Sequence, residues 1–179
     1  MESQLYEPRE DSFLLERNVE KFAFGKVLDM GTGTGILAIA AAKNKKVKSV
    51  MAVDINKEAV LYVLDVCVNE GMPVTVVQSN LFQNIDEKFD TIIFNPPYLP
   101  NNGPSDYALD GGEKGYELTK KFLIDAKVHL NENGQILLLF SSLTNKDIIN
   151  AVLRKEKYKF KQVDLMKLDF EELYVYLIN

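Results

Sequence analysis

Asn95-Pro96-Pro97-Tyr98 is the stretch of this 179-residue sequence whose residue types and order most clearly suit chemistry. It closes an apolar run, residues 89–94, that reads as a buried strand. Proline fixes φ, lacks an N–H, and pushes the residue before it toward extended backbone. Asn95 therefore has a restricted backbone, and the Pro96 carbonyl has no competing donor on its own nitrogen. The Asn95 amide oxygen and the Pro96 carbonyl are two acceptors able to point at one NH2 group, with Tyr98 as a flat apolar wall. A planar NH2 is a poor nucleophile because its lone pair is delocalised. Two accepted hydrogen bonds hold it and favour positive charge developing on nitrogen. No strong general base is needed, which fits the absence of a nearby histidine. Taken alone, the same four residues also describe a proline-rich turn after a strand.

A second group of candidates lies upstream. The apolar run 26–30 enters Asp29-Met30-Gly31-Thr32-Gly33-Thr34-Gly35. Glycines let a backbone turn tightly and let a ligand come close. Their spacing is G-x-G-x-G, not the G-x-G-x-x-G of the dinucleotide fingerprint, and a carboxylate at position 29 would repel a pyrophosphate. It suits a ligand with a cationic group, such as an amino acid's ammonium. Asp54 follows the next strand, close to the roughly 20-residue offset expected of an acid that holds a ribose hydroxyl. Asp29 and Asp54 together ask for a nucleoside with a positive amino-acid tail, and S-adenosylmethionine is such a molecule. The bland alternative is a tight strand–helix turn with two solvated acids. A nicotinamide enzyme is disfavoured by the glycine spacing and by Asp29.

These residues need a scaffold that brings strand ends together. Strand-like segments at 26–30, 48–53, 74–77, 89–94 and 135–140 alternate with helical ones at 36–43, 57–70, 115–130 and 145–154. Such alternation predicts a mostly parallel sheet with right-handed crossovers and helices on both faces. Two final strands, 158–168 and 172–178, are joined too tightly for a crossover and should pair antiparallel. The expected fold is thus α/β, seven strands ending in a C-terminal antiparallel hairpin. Ligands of such sheets bind at the carboxyl ends of the strands, the rim to which both candidate loops belong.

The glycine loop, Asp54 and Asn95-Pro-Pro-Tyr98 together resemble the Rossmann-like class I methyltransferases that act on planar amino groups. These include adenine N6 enzymes of RNA and DNA and protein-glutamine N5 enzymes. Two further segments, Tyr6-Glu-Pro-Arg-Glu-Asp-Ser-Phe13 and Ala108-Leu-Asp-Gly-Gly112 followed by Gly115, resemble the HemK-type glutamine methyltransferases. About 25 residues precede the first strand, which resembles the shorter archaeal and eukaryotic branch. The resemblance implies one methyltransferase domain over 1–179, with 1–25 covering the cofactor. It implies S-adenosylmethionine as methyl donor and the glutamine of a Gly-Gly-Gln motif in a class I peptide-chain release factor as acceptor. It assigns Ser12, Asp29, Gly31, Gly33, Asp54, Ile55, Asn80, Leu81 and Asn95 to the cofactor site, and Asn95, Pro96 and Tyr98 to catalysis. Asn80 departs from the family's usual acid, though its oxygen can still accept from an adenine amino group. The resemblance also implies a small zinc-binding activator protein on an edge strand, here 74–77.

Composition narrows the alternatives. The formal net charge is -5, with 21 Lys and Arg against 26 Asp and Glu, whereas a general nucleic-acid binder shows a basic field. An adenine N6 enzyme on RNA or DNA is therefore the second reading, and a non-catalytic binding module the third. One cysteine, Cys67, precludes an intrachain disulfide, and one histidine leaves no Cys/His zinc site within the chain. The longest apolar run is far short of the roughly 20 residues of a membrane span. The polar, acidic first residues do not form a secretory signal, so the expected compartment is the cytoplasm. His129 reads as solvated or as a helix-end charge, and Cys67 as core. Residues 43–48 read as a solvated basic turn. Tyr6, Phe13 and Tyr116 read as packing residues that could also cover a cofactor.

Overall fold

The computed structural model describes residues 5–98, 112 and 114–179. Twelve regular elements follow the expected alternation: α1 (Glu10–Phe22), β1 (Gly25–Met30), α2 (Ile36–Lys43), β2 (Val47–Asp54), α3 (Lys57–Glu70), β3 (Val74–Gln78), β4 (Phe89–Phe94), α4 (Glu117–Ala126), β5 (Leu130–Ser141), α5 (Lys146–Lys155), β6 (Phe160–Lys167) and β7 (Glu172–Ile178). They build a seven-stranded sheet in the order β3-β2-β1-β4-β5-β7-β6. The pairs among β1 to β5 are parallel. β7 runs antiparallel to both β5 and β6, as the tight final connection requires. Strand order reverses between β1 and β4, and such a switch point opens a crevice at the carboxyl ends of the strands.

Period-two alternation sorts the side chains into two cores. Leu28, Ile92, Phe94, Ile136 and Leu138 meet Phe122 and Leu123 of α4 and Ile149 and Leu153 of α5. Val27, Ile93, Leu137 and Val175 meet Leu14 and Leu15 of α1, Leu37 of α2 and Val63 of α3. Cys67 lies in this second core. Phe89, Phe94, Phe122 and Phe140 are fully buried, each stabilising by about 2–3 kcal/mol through apolar area removed from water.

α1 is a helix where the sequence suggests only an N-terminal segment. Its last carbonyls lack helical partners, as at every helix end. Asn44 Nδ2 donates to the carbonyls of Glu20 (3.0 Å) and Ala23 (3.3 Å), and Gln135 Nε2 donates to Phe22 (2.6 Å). Along its length, Arg17 makes a two-pronged ion pair with Asp164 of β6, each bond 2.8 Å, and Asn18 Nδ2 adds a third at 2.7 Å. These bonds tie the start of the chain to both halves of the sheet.

Two expectations at the far end of α4 are corrected. The helix stops at Ala126, a short 3-10 turn covers Lys127–His129, and β5 begins at Leu130 rather than at 135. Asn131 Nδ2 donates to Asp90 Oδ1 at 2.8 Å, and Leu130 pairs with Phe89, so the strand forms before its apolar stretch begins. His129 is half-buried and stacked on Phe82 with ring centroids 4.4 Å apart. Its Nδ1 lies 3.0 Å from the Glu87 carbonyl, where a protonated nitrogen donates. Burial holds its pKa below the usual histidine value. Of the segment from Ala108 to Gly112, only Gly112 is among the described residues. Among the described residues no helix is long and apolar enough to cross a membrane.

Candidate active site

At the switch point lies a cavity of about 540 Å³, within the range of small-molecule and cofactor sites. Its wall takes Gly31 and Gly33 from the loop after β1, Asp54 and Ile55 from the end of β2, Asn80 and Leu81 from the turn after β3, and Asn95, Pro96 and Tyr98 from the loop after β4. Ser12 enters from the first turn of α1, and Glu171 from the β6–β7 turn. The structure thus brings every residue assigned from the sequence to one cavity wall, except Asp29.

Asp29 lies beneath the wall rather than on it. Its side chain is 0% exposed and on the same face of β1 as Val27, toward α1–α3. Oδ2 accepts the Thr32 hydroxyl at 2.7 Å, and Oδ1 has no hydrogen-bond partner. Burial pushes the carboxyl pKa up to about 7, against the lowering influence of the Thr32 hydrogen bond and of the Ala38 backbone amide, and Asp54 adds a smaller upward push. An orphaned buried carboxylate oxygen costs free energy unless something compensates it.

Asp54 is half-buried, and its oxygens anchor two backbone amides. Gly33 N–H donates to Oδ2 and Asn56 N–H to Oδ1, both at 2.9 Å. Each oxygen keeps lone pairs for further donors. The glycine loop climbs over this carboxylate with φ of 55° at Gly33, a left-handed value that favours glycine. A Cβ on Gly33 would meet nothing within 4 Å, so the loop leaves open space at the cavity wall.

The turn after β3 is held by Ser79. Its hydroxyl donates to the Leu81 carbonyl and accepts the Asn84 N–H, both at 2.9 Å. Leu81 stands at φ 48°, a left-handed conformation that costs a non-glycine residue on the order of 1–3 kcal/mol. The Ser79 bonds hold that strain in place, with the Asn80–Leu81 pair at the cavity wall.

Asn95 gives the site its polarity. Its Nδ2 donates to Asp11 Oδ2 at 3.0 Å, while its buried Oδ1 has no partner. The sequence alone gives Asp11 no role, although it lies within the motif-like segment around Ser12. It is 3% exposed and also accepts the Tyr6 hydroxyl at 2.8 Å and the Ser12 N–H at 2.7 Å. Burial first, and then Asp11, raise the Tyr6 pKa, so the phenol stays protonated and donates. Tyr98 is half-buried beside them, and burial followed by Asp11 raises its pKa too.

A sheet of this order, with a glycine loop on β1, an acid ending β2 and Asn-Pro-Pro-Tyr after β4, defines a class I methyltransferase. Residues 10–164 match the methyltransferase small domain family, and the chain belongs to that family. A Methanocaldococcus jannaschii protein, whose name assigns it protein N5-glutamine methylation provisionally, is 37% identical over 96% of this chain and 90% of its own length. A release factor glutamine methyltransferase of Streptococcus pneumoniae is 33% identical over 63% of this chain. The chain spans 44% of that relative's length. A chain of the E. cuniculi Mtq2–Trm112 complex, which methylates the eRF1 translation termination factor, superposes with a TM-score of 0.79 at 25% identity over 97% of each chain.

Proposed function

We propose that this chain transfers the methyl group of S-adenosylmethionine to the side-chain amide nitrogen of a glutamine in the Gly-Gly-Gln motif of a class I release factor. The single observation carrying this reading is the Asn95 carboxamide. Its nitrogen is engaged, and its buried oxygen is left as an unused acceptor in a wall residue of the cavity. An NH2 group offers that oxygen the donor it lacks. The names of the relatives at 37% and 33% identity support a glutamine as the owner of that NH2.

The residues present fit the methyl donor. The unpartnered Asp29 Oδ1 beneath the glycine loop suits a nearby ammonium. Asp54 keeps lone pairs for ribose hydroxyls, Asn80 offers an oxygen to an adenine amino group, and Ile55 and Leu81 supply apolar walls. Ser12 closes the site from α1, and Leu5, Tyr6, Arg9, Glu10 and Asp11 line the same side of the cavity. When bound, S-adenosylmethionine supplies an electrophilic sulfonium methyl. Asn95 Oδ1 and the Pro96 carbonyl accept the two N–H groups of the glutamine amide, hold its nitrogen in line with that methyl, and stabilise the positive charge that develops there. Tyr98 walls the amide from water. Formation of the new N–C bond would break the sulfonium S–C bond and leave S-adenosylhomocysteine, and the nitrogen sheds one proton to solvent.

The direct test incubates the chain with labelled cofactor and, separately, a Gly-Gly-Gln release factor, RNA and DNA. Mass spectrometry of the acceptor should show one added methyl on the glutamine. Label appearing in adenine instead would establish the N6 reading. Gly33→Ala supplies an independent check on the cofactor site. Forcing alanine to φ 55° costs about 1–2 kcal/mol, a loss of several degrees in Tm. The new methyl stands where the loop leaves open space, so calorimetry should show cofactor affinity falling by tenfold or more.

The proposal includes a small activator protein. Among the described residues β3 ends the sheet and pairs with β2 alone, and an exposed valine-rich edge invites a partner strand. On the neighbouring helix α3, Leu61, Tyr62, Leu64 and Val68 are exposed, Val68 at 71%. The Mtq2–Trm112 complex supports a heterodimer of this kind; a zinc site on the partner is part of the reading from resemblance. Val68→Asp should abolish capture of the activator on co-expression and change stability by less than about 0.5 kcal/mol, as an exposed substitution does. Equal capture by the variant would remove α3 from the interface. The compartment that follows from a release-factor substrate is the cytoplasm.

A further inference from the structure

We propose that Asp11 is the positioning residue that fixes which way round the Asn95 carboxamide stands, so that its oxygen, not its NH2, meets the acceptor. This rests on the glutamine-methylation reading of the same site. The two ends of a carboxamide are nearly identical in shape, and only hydrogen bonding distinguishes them. Turned by 180°, Asn95 would present a donor to a donor, and the incoming NH2 would lose an acceptor. A carboxylate can only accept. Asp11 Oδ2 at 3.0 Å therefore selects Nδ2 as its partner, and Oδ1 is left over.

The carboxylate is itself held. The Tyr6 hydroxyl donates to the same oxygen, Oδ2, and the Ser12 N–H to the other. Asp11 sits in the first turn of α1, where a negative charge is favoured by the helix dipole. Ion pairing at Arg17 and capping of the last carbonyls fix α1 against the sheet. Hydrogen bonds in series also polarise one another. An anion accepting from Nδ2 draws electron density toward Oδ1 and strengthens it as an acceptor for a nitrogen that is becoming positive. The bond spans 84 positions in sequence, so docking of α1 and assembly of the acceptor site are one event.

A double-mutant cycle with Asn95 tests this. Asp11→Ala is expected to lower kcat about a hundredfold in the wild-type background, with the KM for cofactor within threefold. In the Asn95→Ala background it should cost less than threefold more, because nothing remains to orient. Asp11→Leu fills the space without an acceptor and replaces the alanine variant in the same cycle should alanine prevent folding. Equal losses in both backgrounds, or an unchanged kcat, would overturn the proposal. A second readout needs no acceptor. The Asn95 side-chain NH2 protons, followed by NMR, should exchange with solvent at least tenfold faster in the Asp11 variant, and an unchanged rate would also overturn it. A wild-type chain inert toward every Gly-Gly-Gln protein would remove the glutamine reading, and the amide protons would still decide the role of Asp11.

Discussion

Asn95→Ala is expected to lower kcat for methyl transfer by about 10³-fold while leaving cofactor affinity within about threefold. The magnitude follows from what the side chain supplies. Deleting one preorganised hydrogen-bonding group that faces developing charge typically costs 10²–10³ in kcat. Here the same deletion also frees the acceptor's nitrogen to rotate away from attack. Cofactor affinity is expected to be spared because the proposed partners of its ribose and ammonium, Asp54 and Asp29, stand on other strands. Asn95→Asp makes the complementary test. An anion beside Asp11 would repel it and lose the donated bond, so aspartate should rescue little although it keeps the oxygen. Folding should survive both changes, since Asn95 is only half-buried and belongs to neither apolar core. A kcat within tenfold of wild type in Asn95→Ala, measured by mass spectrometry of the acceptor, would remove Asn95 from the chemistry.

The parts of this site that were legible in the sequence are those in which one residue's chemistry is also its local structure. Asp29 to Gly35 and Asn95 to Tyr98 both sit where an apolar run ends in glycine or proline, so residue type and strand end coincide. The boundaries of α2, α3, β4 and β7 were read from the same kind of punctuation. α1 was not. Leu14, Leu15, Val19 and Phe22 do recur at helical spacing, but Asp11, Ser12 and Asn18 are buried too, and polar residues on a buried face blur the pattern. The start of β5 was hidden for a related reason. Of residues 130–134 only Leu130 pairs in register, with Phe89, and the stretch after it is held by an Asn131–Asp90 bond rather than by apolar side chains. Asp11 could not have been ranked above its acidic neighbours, because its partner Asn95 lies across the sheet, and only tertiary structure brings the two together.

Asp29 carries the second large effect, through a proton. An ordinary aspartate, as in the unfolded chain, titrates near 3.8, and burial raises this group to about 7 in the fold. Between those values the folded chain binds a proton that the unfolded chain releases. The contribution of Asp29 to the stability of the ligand-free protein is therefore greatest below about pH 4, falls as pH rises toward 7, and levels off above it. A shift of this size corresponds to about 4 kcal/mol over the window, superimposed on the titration of other groups. Asp29→Asn keeps the Thr32 bond and should flatten that component, leaving the variant more stable than wild type at pH 8. The sign reverses for function. An ammonium close to the buried carboxylate offsets its desolvation and favours the charged form, so binding drives a proton off below pH 7. Cofactor affinity of the wild type should climb by up to tenfold per pH unit between 5 and 7 and then plateau. Calorimetry in buffers of different ionisation enthalpy should register the released proton. Asp29→Asn should bind weakly and without that slope. Should wild type and variant share one flat profile, the buried acid beneath the glycine loop serves packing alone, and the ammonium finds its partner elsewhere in the cavity.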